Sequence, residues 1–276
     1  MAENGTVPVV ICTHGGTFDK RYFDMHVPGR TGYSMAERFA AVGIVVVAFD
    51  MLGISGSSRP EKADTVSRFV QAAALDAAAR SVFDQLVRGQ LDRRIPALPH
   101  IRRIGLAHSM GVMVTVVQQA NHHTFEQLLL LGYSIKGVEL RHSTIPTLGS
   151  PQSQFDQPDN LRRLREGLRR EYYLSDVPGD VIAADEAAAA PPPQPAGLEA
   201  IGAGVALAEA GRIGEPVFLG YGERDISPDP RAELGAFTSC RDMTLVLFPD
   251  VAHAHNLANG RNEVWRRSLA WIGSFA

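Results

Sequence analysis

The run Ile104-Gly105-Leu106-Ala107-His108-Ser109-Met110-Gly111 decides the fold of this chain. An apolar stretch stops at a small residue, a serine follows, and a helix-forming sequence begins directly after it. That order predicts a strand, a tight turn and a helix start, with the serine hydroxyl forced out at the tip of the turn. Backbone angles at such a tip are strained, so the residues two before and two after the serine must be small enough to pass each other. Gly111 meets this demand fully and Ala107 nearly. A competing reading makes Ser109 an ordinary helix N-cap.

Working outward, continuous apolar runs recur at Val7 to Thr13, Gly43 to Phe49, Ile101 to Ala107, Gln127 to Leu131, Pro216 to Gly220 and Met243 to Phe248. Runs without alternation suit strands covered on both faces, as in a parallel sheet. Between them lie helical patterns at Tyr33 to Val42, Asp64 to Gly89, Met110 to Asn121 and Arg261 to Phe275. The last sets Trp265, Leu269 and Ile272 on one stripe. Alternation of this kind specifies an α/β fold with a doubly wound, mostly parallel sheet. In such sheets ligands collect at the carboxyl ends of the strands. Ser109 follows the third strand; His14, Gly15 and Gly16 follow the first, Asp50 the second, Asp225 the fifth and His253 the sixth.

One segment, 134–210, breaks the alternation and reads as an inserted helical cap between two parts of the core, 1–133 and 211–276. It holds an arginine-rich helix over Leu161 to Leu174, with Leu161, Leu164, Leu168 and Tyr172 on one face. An Ala-Pro tract from Ala183 to Pro195 follows as an extended connector, then an alanine-rich helix. Arg162, Arg163, Arg165, Arg169 and Arg170 read as a solvated face rather than a site for an anionic carrier. Tyr172, Tyr173, Leu174 and Phe155 are candidates for an apolar or aromatic substrate pocket.

Bulk properties narrow the classes. The 276 residues, 45% of them hydrophobic, suffice for a large core, and the net charge of −3 argues against nucleic acid as a partner. Two cysteines, Cys12 and Cys240, make neither a disulfide framework nor a metal site. No apolar run approaches the roughly 20 residues of a membrane span, and no secretory leader is visible. The expectation is a soluble cytoplasmic protein acting on a small molecule, with no cofactor, no bound metal and room for a homodimer.

Five motifs taken together resemble the α/β-hydrolase superfamily, in its serine-nucleophile, cap-bearing branch of esterases, lipases and thioesterases. They are His14-Gly15-Gly16, the stretch from Phe49 to Pro60, the serine elbow, Gly222-Glu223-Arg224-Asp225, and Phe248-Pro249-Asp250-Val251-Ala252-His253. The order serine, acid, histidine is the family's order. The resemblance implies Ser109 as nucleophile, His253 as base and Asp225 as the acid that holds it. It implies an oxyanion hole from the backbone N–H groups of Gly16 and Met110. His255 rivals His253, and Glu223 and Asp229 rival Asp225; family spacing selects His253 and Asp225. His14, His108, Tyr172, Tyr173 and His255 are further candidates for contact with substrate, although His14 and His108 read more simply as packed, hydrogen-bonded side chains. Asp50 reads as a structural support for the glycine-serine loop.

The nucleophile being serine sets aside the dehalogenase and epoxide-hydrolase branches, which use aspartate. Ala254, where hydroxynitrile lyases carry lysine, sets aside that branch too. What the resemblance leaves is cleavage of an ester, lactone or thioester of a small to medium apolar substrate. An acyltransferase or a carbon–carbon bond hydrolase on the same three residues, and a non-catalytic ligand-binding relative, stay open as alternatives.

Overall fold

A computed structural model describes residues 5–142, 158–192 and 195–275. Six strands form one sheet: β1 (Val7–Thr13), β2 (Val45–Phe49), β3 (Ile101–His108), β4 (Gln127–Leu131), β5 (Val217–Arg224) and β6 (Met243–Ala252). Their order across the sheet is β2-β1-β3-β4-β5-β6, and every pairing is parallel. The crossovers joining the first four strands are carried by α1 (Met35–Ala40), α2 (Arg68–Arg88) and α3 (Met110–His122), and α8 (Arg261–Gly273) follows β6. Four further helices lie between β4 and β5: α4 (Pro158–Tyr172), α5 (Gly179–Ala187), α6 (Ala196–Glu199) and α7 (Leu207–Ala210).

The unbroken apolar character of the strands has a direct cause: both faces are covered. Val9 and Ile11 of β1 join Leu128 and Leu130 of β4 in the core under α2 and α3. Their neighbours Val10, Cys12, Leu129 and Leu131 face the other way, against Met35 and Phe39 of α1 and Trp265 and Ile272 of α8. Cys12 is thus a small buried apolar residue of the second core.

Several sequence expectations shift at their edges. The helix expected from Asp64 begins at Arg68, because Ser67 caps it by accepting from Val70 N, and it stops at Gly89, whose φ is 66°. Strand β6 runs past Phe248 to Ala252, and β5 runs to Arg224. The pairing of these two strands is irregular between Gly222 and Arg224, and Pro249, which has no N–H to give a ladder, sits opposite that irregularity. The extension sets Asp225 and His253 one residue beyond paired strand ends. Within the β4–β5 segment, the Ala-Pro tract is helical as far as Ala187 and irregular from Ala188 to Pro192. The expected alanine-rich helix is instead two single turns, α6 and α7, separated around Gly202 and Gly204. No described helix is long and apolar enough to cross a membrane.

Candidate active site

Ser109 sits between β3 and α3 with φ 55° and ψ −129°, outside the regions that L-residues prefer. Packing holds it there. Its N–H donates to Leu131 O at 2.8 Å. A Cβ on Gly111 would overlap the carbonyl oxygens of Thr13 and His14, and one on Gly15 would come within 2.8 Å of Ser109 Cβ. Both positions therefore need glycine, for close approach rather than for turn geometry. Ser109 stands at the N-cap position of α3 but makes no side-chain capping bond. Its hydroxyl lies instead 2.9 Å from His253 Nε2.

His253 Nδ1 lies 2.7 Å from Asp225 Oδ1. Asp225 also accepts the N–H groups of Ile226 and Gly222, each at 2.9 Å. Burial alone pushes its carboxyl upward, but the neighbouring His255 and His253 outweigh this and hold it well below the ordinary value of 3.8. An ionised carboxylate only accepts, so His253 donates from Nδ1 and keeps the Nε2 lone pair free for the Ser109 hydroxyl. A proton can leave Ser109 without any rearrangement of the ring.

Gly16 and Met110 meet at the head of Ser109: a Cβ on Gly16 would lie 3.8 Å from Met110 Cβ. Neither amide has a hydrogen-bond partner among the described residues, and both residues line the same cavity as Ser109 and His253. That cavity measures about 140 Å³. Its walls are largely apolar: Leu164, Leu168 and Tyr172 from α4, Leu198 and Ile201 from in and after α6, and Val138, Leu140 and Ile226 from loops near the strand ends.

The remaining candidates separate cleanly. Tyr172 lines the cavity, its ring centroid 5.4 Å from that of His253 and its hydroxyl 3.0 Å from Thr17 Oγ1. The other four do not. Tyr173 turns away from the cavity and bonds Asp185 and Arg165. His14 is wholly buried, donates from Nδ1 to Gly15 O at 2.9 Å and accepts Met51 N at 3.2 Å, so it shapes the glycine loop. His108 donates from Nε2 to the His253 carbonyl at 2.7 Å and stacks on Tyr22. Burial, then the nearby His253 and His255, hold its imidazole well below the usual range, hence neutral. His255 lies behind Asp225, not beside Ser109, with Nε2 2.7 Å from Asp225 Oδ2. Phe155 falls outside the described residues, and Leu174 does not line the cavity. Asp50 binds Lys20 and the Gly56 N–H, a support for its own loop.

Two features escape the sequence reading. Arg165 is not part of the solvated face: with Asp185 it forms a buried ion pair, the side chains 3% and 2% exposed. The same guanidinium reaches Tyr173 Oη at 2.7 Å and Thr17 Oγ1 at 3.2 Å, and lies over the rings of Phe18 and Tyr172. Burial alone would lower its pKa, but the Asp185 charge outweighs that and the net direction is upward. The second feature is Gly132, just past β4 with φ 63°. A Cβ there would come within 3.3 Å of Asp225 Oδ2, His253 Nδ1 and His255 Cε1. Among the described residues no group of three or more His, Cys, Asp or Glu side chains is placed to hold a metal ion.

A family model described as the Alpha/beta hydrolase family matches residues 9–265. No curated protein sequence matches the chain. Among solved structures, the enol-lactonase from Burkholderia xenovorans LB400 is similar at TM-score 0.69 and 14% identity, over 98% of this chain and 93% of that one. The bromoperoxidase from Bacillus anthracis gives 0.68 and 14%, over 98% and 92%. The Paleococcus ferrophilus monoacylglycerol lipase gives 0.63 and 16%, over 98% and 97%. The activities these proteins are named for differ while the architecture does not, so these likenesses speak to fold.

Proposed function

Because the chain belongs to the alpha/beta hydrolase family, we propose that it is a serine hydrolase in which Ser109 attacks, His253 moves the proton and Asp225 holds His253. The observation that carries this reading is the continuous chain Ser109 Oγ, His253 Nε2, His253 Nδ1, Asp225 Oδ1, with links of 2.9 and 2.7 Å. Attack of Oγ on an acyl carbon passes the hydroxyl proton to His253 Nε2. The carbonyl oxygen becomes an oxyanion against the Gly16 and Met110 amides, where one lost donor costs about 3 kcal/mol of barrier. His253 then protonates the leaving group, and the acyl group stays on Ser109. A water deprotonated by His253 attacks that ester and returns the enzyme.

The cavity supports the substrate class. About 140 Å³ of largely apolar space holds roughly one benzene-sized group. That favours a small to medium apolar acyl or alcohol part on an ester, lactone or thioester. Residues 134–210 act as a cap on this reading, since Leu164, Leu168, Tyr172, Leu198 and Ile201 supply much of the wall.

The test is direct. Ser109→Ala abolishes turnover of a short-chain nitrophenyl ester, and a fluorophosphonate probe marks the wild-type peptide that contains Ser109. Turnover that survives the substitution, or label on another peptide, overturns the mechanism.

A further inference from the structure

Asp225 is held by two histidines, one on each oxygen. His253 Nδ1 takes Oδ1 at 2.7 Å and His255 Nε2 takes Oδ2 at 2.7 Å. His255 is fully buried, does not line the cavity, and its Nδ1 has no hydrogen-bond partner among the described residues. Its donating bond to Asp225 is thus the only hydrogen bond of its ring among the described residues. The groups that face it are few: His108 at 5.4 Å between centroids, the Phe248 ring, Asp225 itself, and beyond these His253 and the Tyr22 hydroxyl, which accepts the adjacent Asn256 N–H. Among the described residues no lysine or arginine bonds to this group. Gly132 closes the floor: a Cβ there would come within 3.3 Å of both histidine rings and of the carboxylate.

Resting on the reading that Asp225 serves His253, we propose that His255 is a positioning residue: it fixes the second oxygen of Asp225 and limits the basicity that Asp225 lends to His253. The reasoning is electrostatic. A carboxylate that gives one oxygen to His255 spreads its charge over two donors, and the share left to stabilise a His253 imidazolium is smaller. Without His255, Oδ2 keeps, among the described residues, only the Gly222 amide, the carboxylate is freer to turn, and its attraction for a proton on His253 rises. The direction is the same whether His255 is neutral or charged, because a removed cation would also have opposed the charging of His253.

The experiment compares kcat, KM and the pH–rate profile of three variants on the nitrophenyl ester. His255→Leu removes the donor: kcat falls about tenfold at the plateau, KM stays because His255 does not touch the cavity, and the acidic limb moves up by about one pH unit. His255→Gln offers an amide N–H at the position of Nε2, restores most of the rate and returns the limb toward wild type. His255→Asn carries a donor too short to reach Oδ2 and behaves as His255→Leu, which keeps the test open if the leucine variant does not fold. Wild-type kcat and limb in both His255→Leu and His255→Asn, or a His255→Gln no better than these, overturn the proposal. His253→Ala, run alongside, separates the two levels of argument: activity surviving that change defeats the proposed function itself, whereas a dead His253→Ala with neutral His255 variants defeats only the role given to His255.

Discussion

Substituting Arg165→Met asks how much of the molecule rests on one pair of charges. Both members of the Arg165–Asp185 pair are almost wholly out of water, so the small energies of surface ion pairs do not apply. Methionine fills similar space but leaves the Asp185 carboxylate buried with, among the described residues, only the Tyr173 hydroxyl as side-chain partner. Breaking a buried pair from one side costs about 3–5 kcal/mol. Against a total stability of about 5–15 kcal/mol that is a large fraction. In a chain of this length each kcal/mol moves the melting point by about 2–4 °C, so Tm falls by about 6–20 °C. Urea unfolding followed by fluorescence of Trp265 and Trp271, both in α8, gives the free energy directly. The double variant Arg165→Met with Asp185→Leu removes both charges and recovers most of the loss. A single variant within about 1 kcal/mol of wild type would refute the reasoning, because the pair would then be as weak as a solvated one.

Two more outcomes follow from the site. Asp225 has its carboxyl depressed in the folded state, so the stability it contributes is complete above the unfolded value of 3.8 and drains away as pH falls toward the folded one. The stability gap between wild type and Asp225→Asn therefore narrows below about pH 4; parallel unfolding curves down to pH 2 would contradict the assigned ionisation. Gly132→Ala introduces a methyl group 3.3 Å from three atoms of the Asp225 cluster, at a φ of 63° that alanine disfavours. It lowers kcat more than it raises KM, and equal changes in both would place the damage in the cavity instead.

What the sequence made legible, it did through local pattern. Strands covered on both faces must be apolar throughout, so all six could be seen from their runs, and a serine between such a run and a helix pointed to an exposed turn tip or a helix N-cap. Ser109, Asp225 and His253 were singled out because each follows a strand end and stands where the family's order and spacing place it. Their mutual distances were not legible, because they depend on how β5 and β6 extend past Pro249. Arg165 was misjudged for a related reason: its partners Asp185 and Thr17 lie 20 and 148 residues away, and no spacing links them. One signal was present. Arg165 falls four residues after Leu161 and three before Leu168, on the apolar stripe of α4 rather than opposite it. Tyr173 followed the same hidden pair away from the cavity. The roles of His253 and His255, two residues apart in one loop, separate only when Asp225 is seen to stand between them.

The dihedral angles of Ser109 carry a consequence for how this chain responds to selection. A conformation that glycine enters freely and serine does not is worth of the order of 1–3 kcal/mol. On the proposed mechanism, thermal tolerance and turnover are thus opposed at a single codon: glycine there relaxes the turn and removes the proposed nucleophile. On that mechanism, a library screened only for heat resistance would favour glycine at position 109 and return inert proteins.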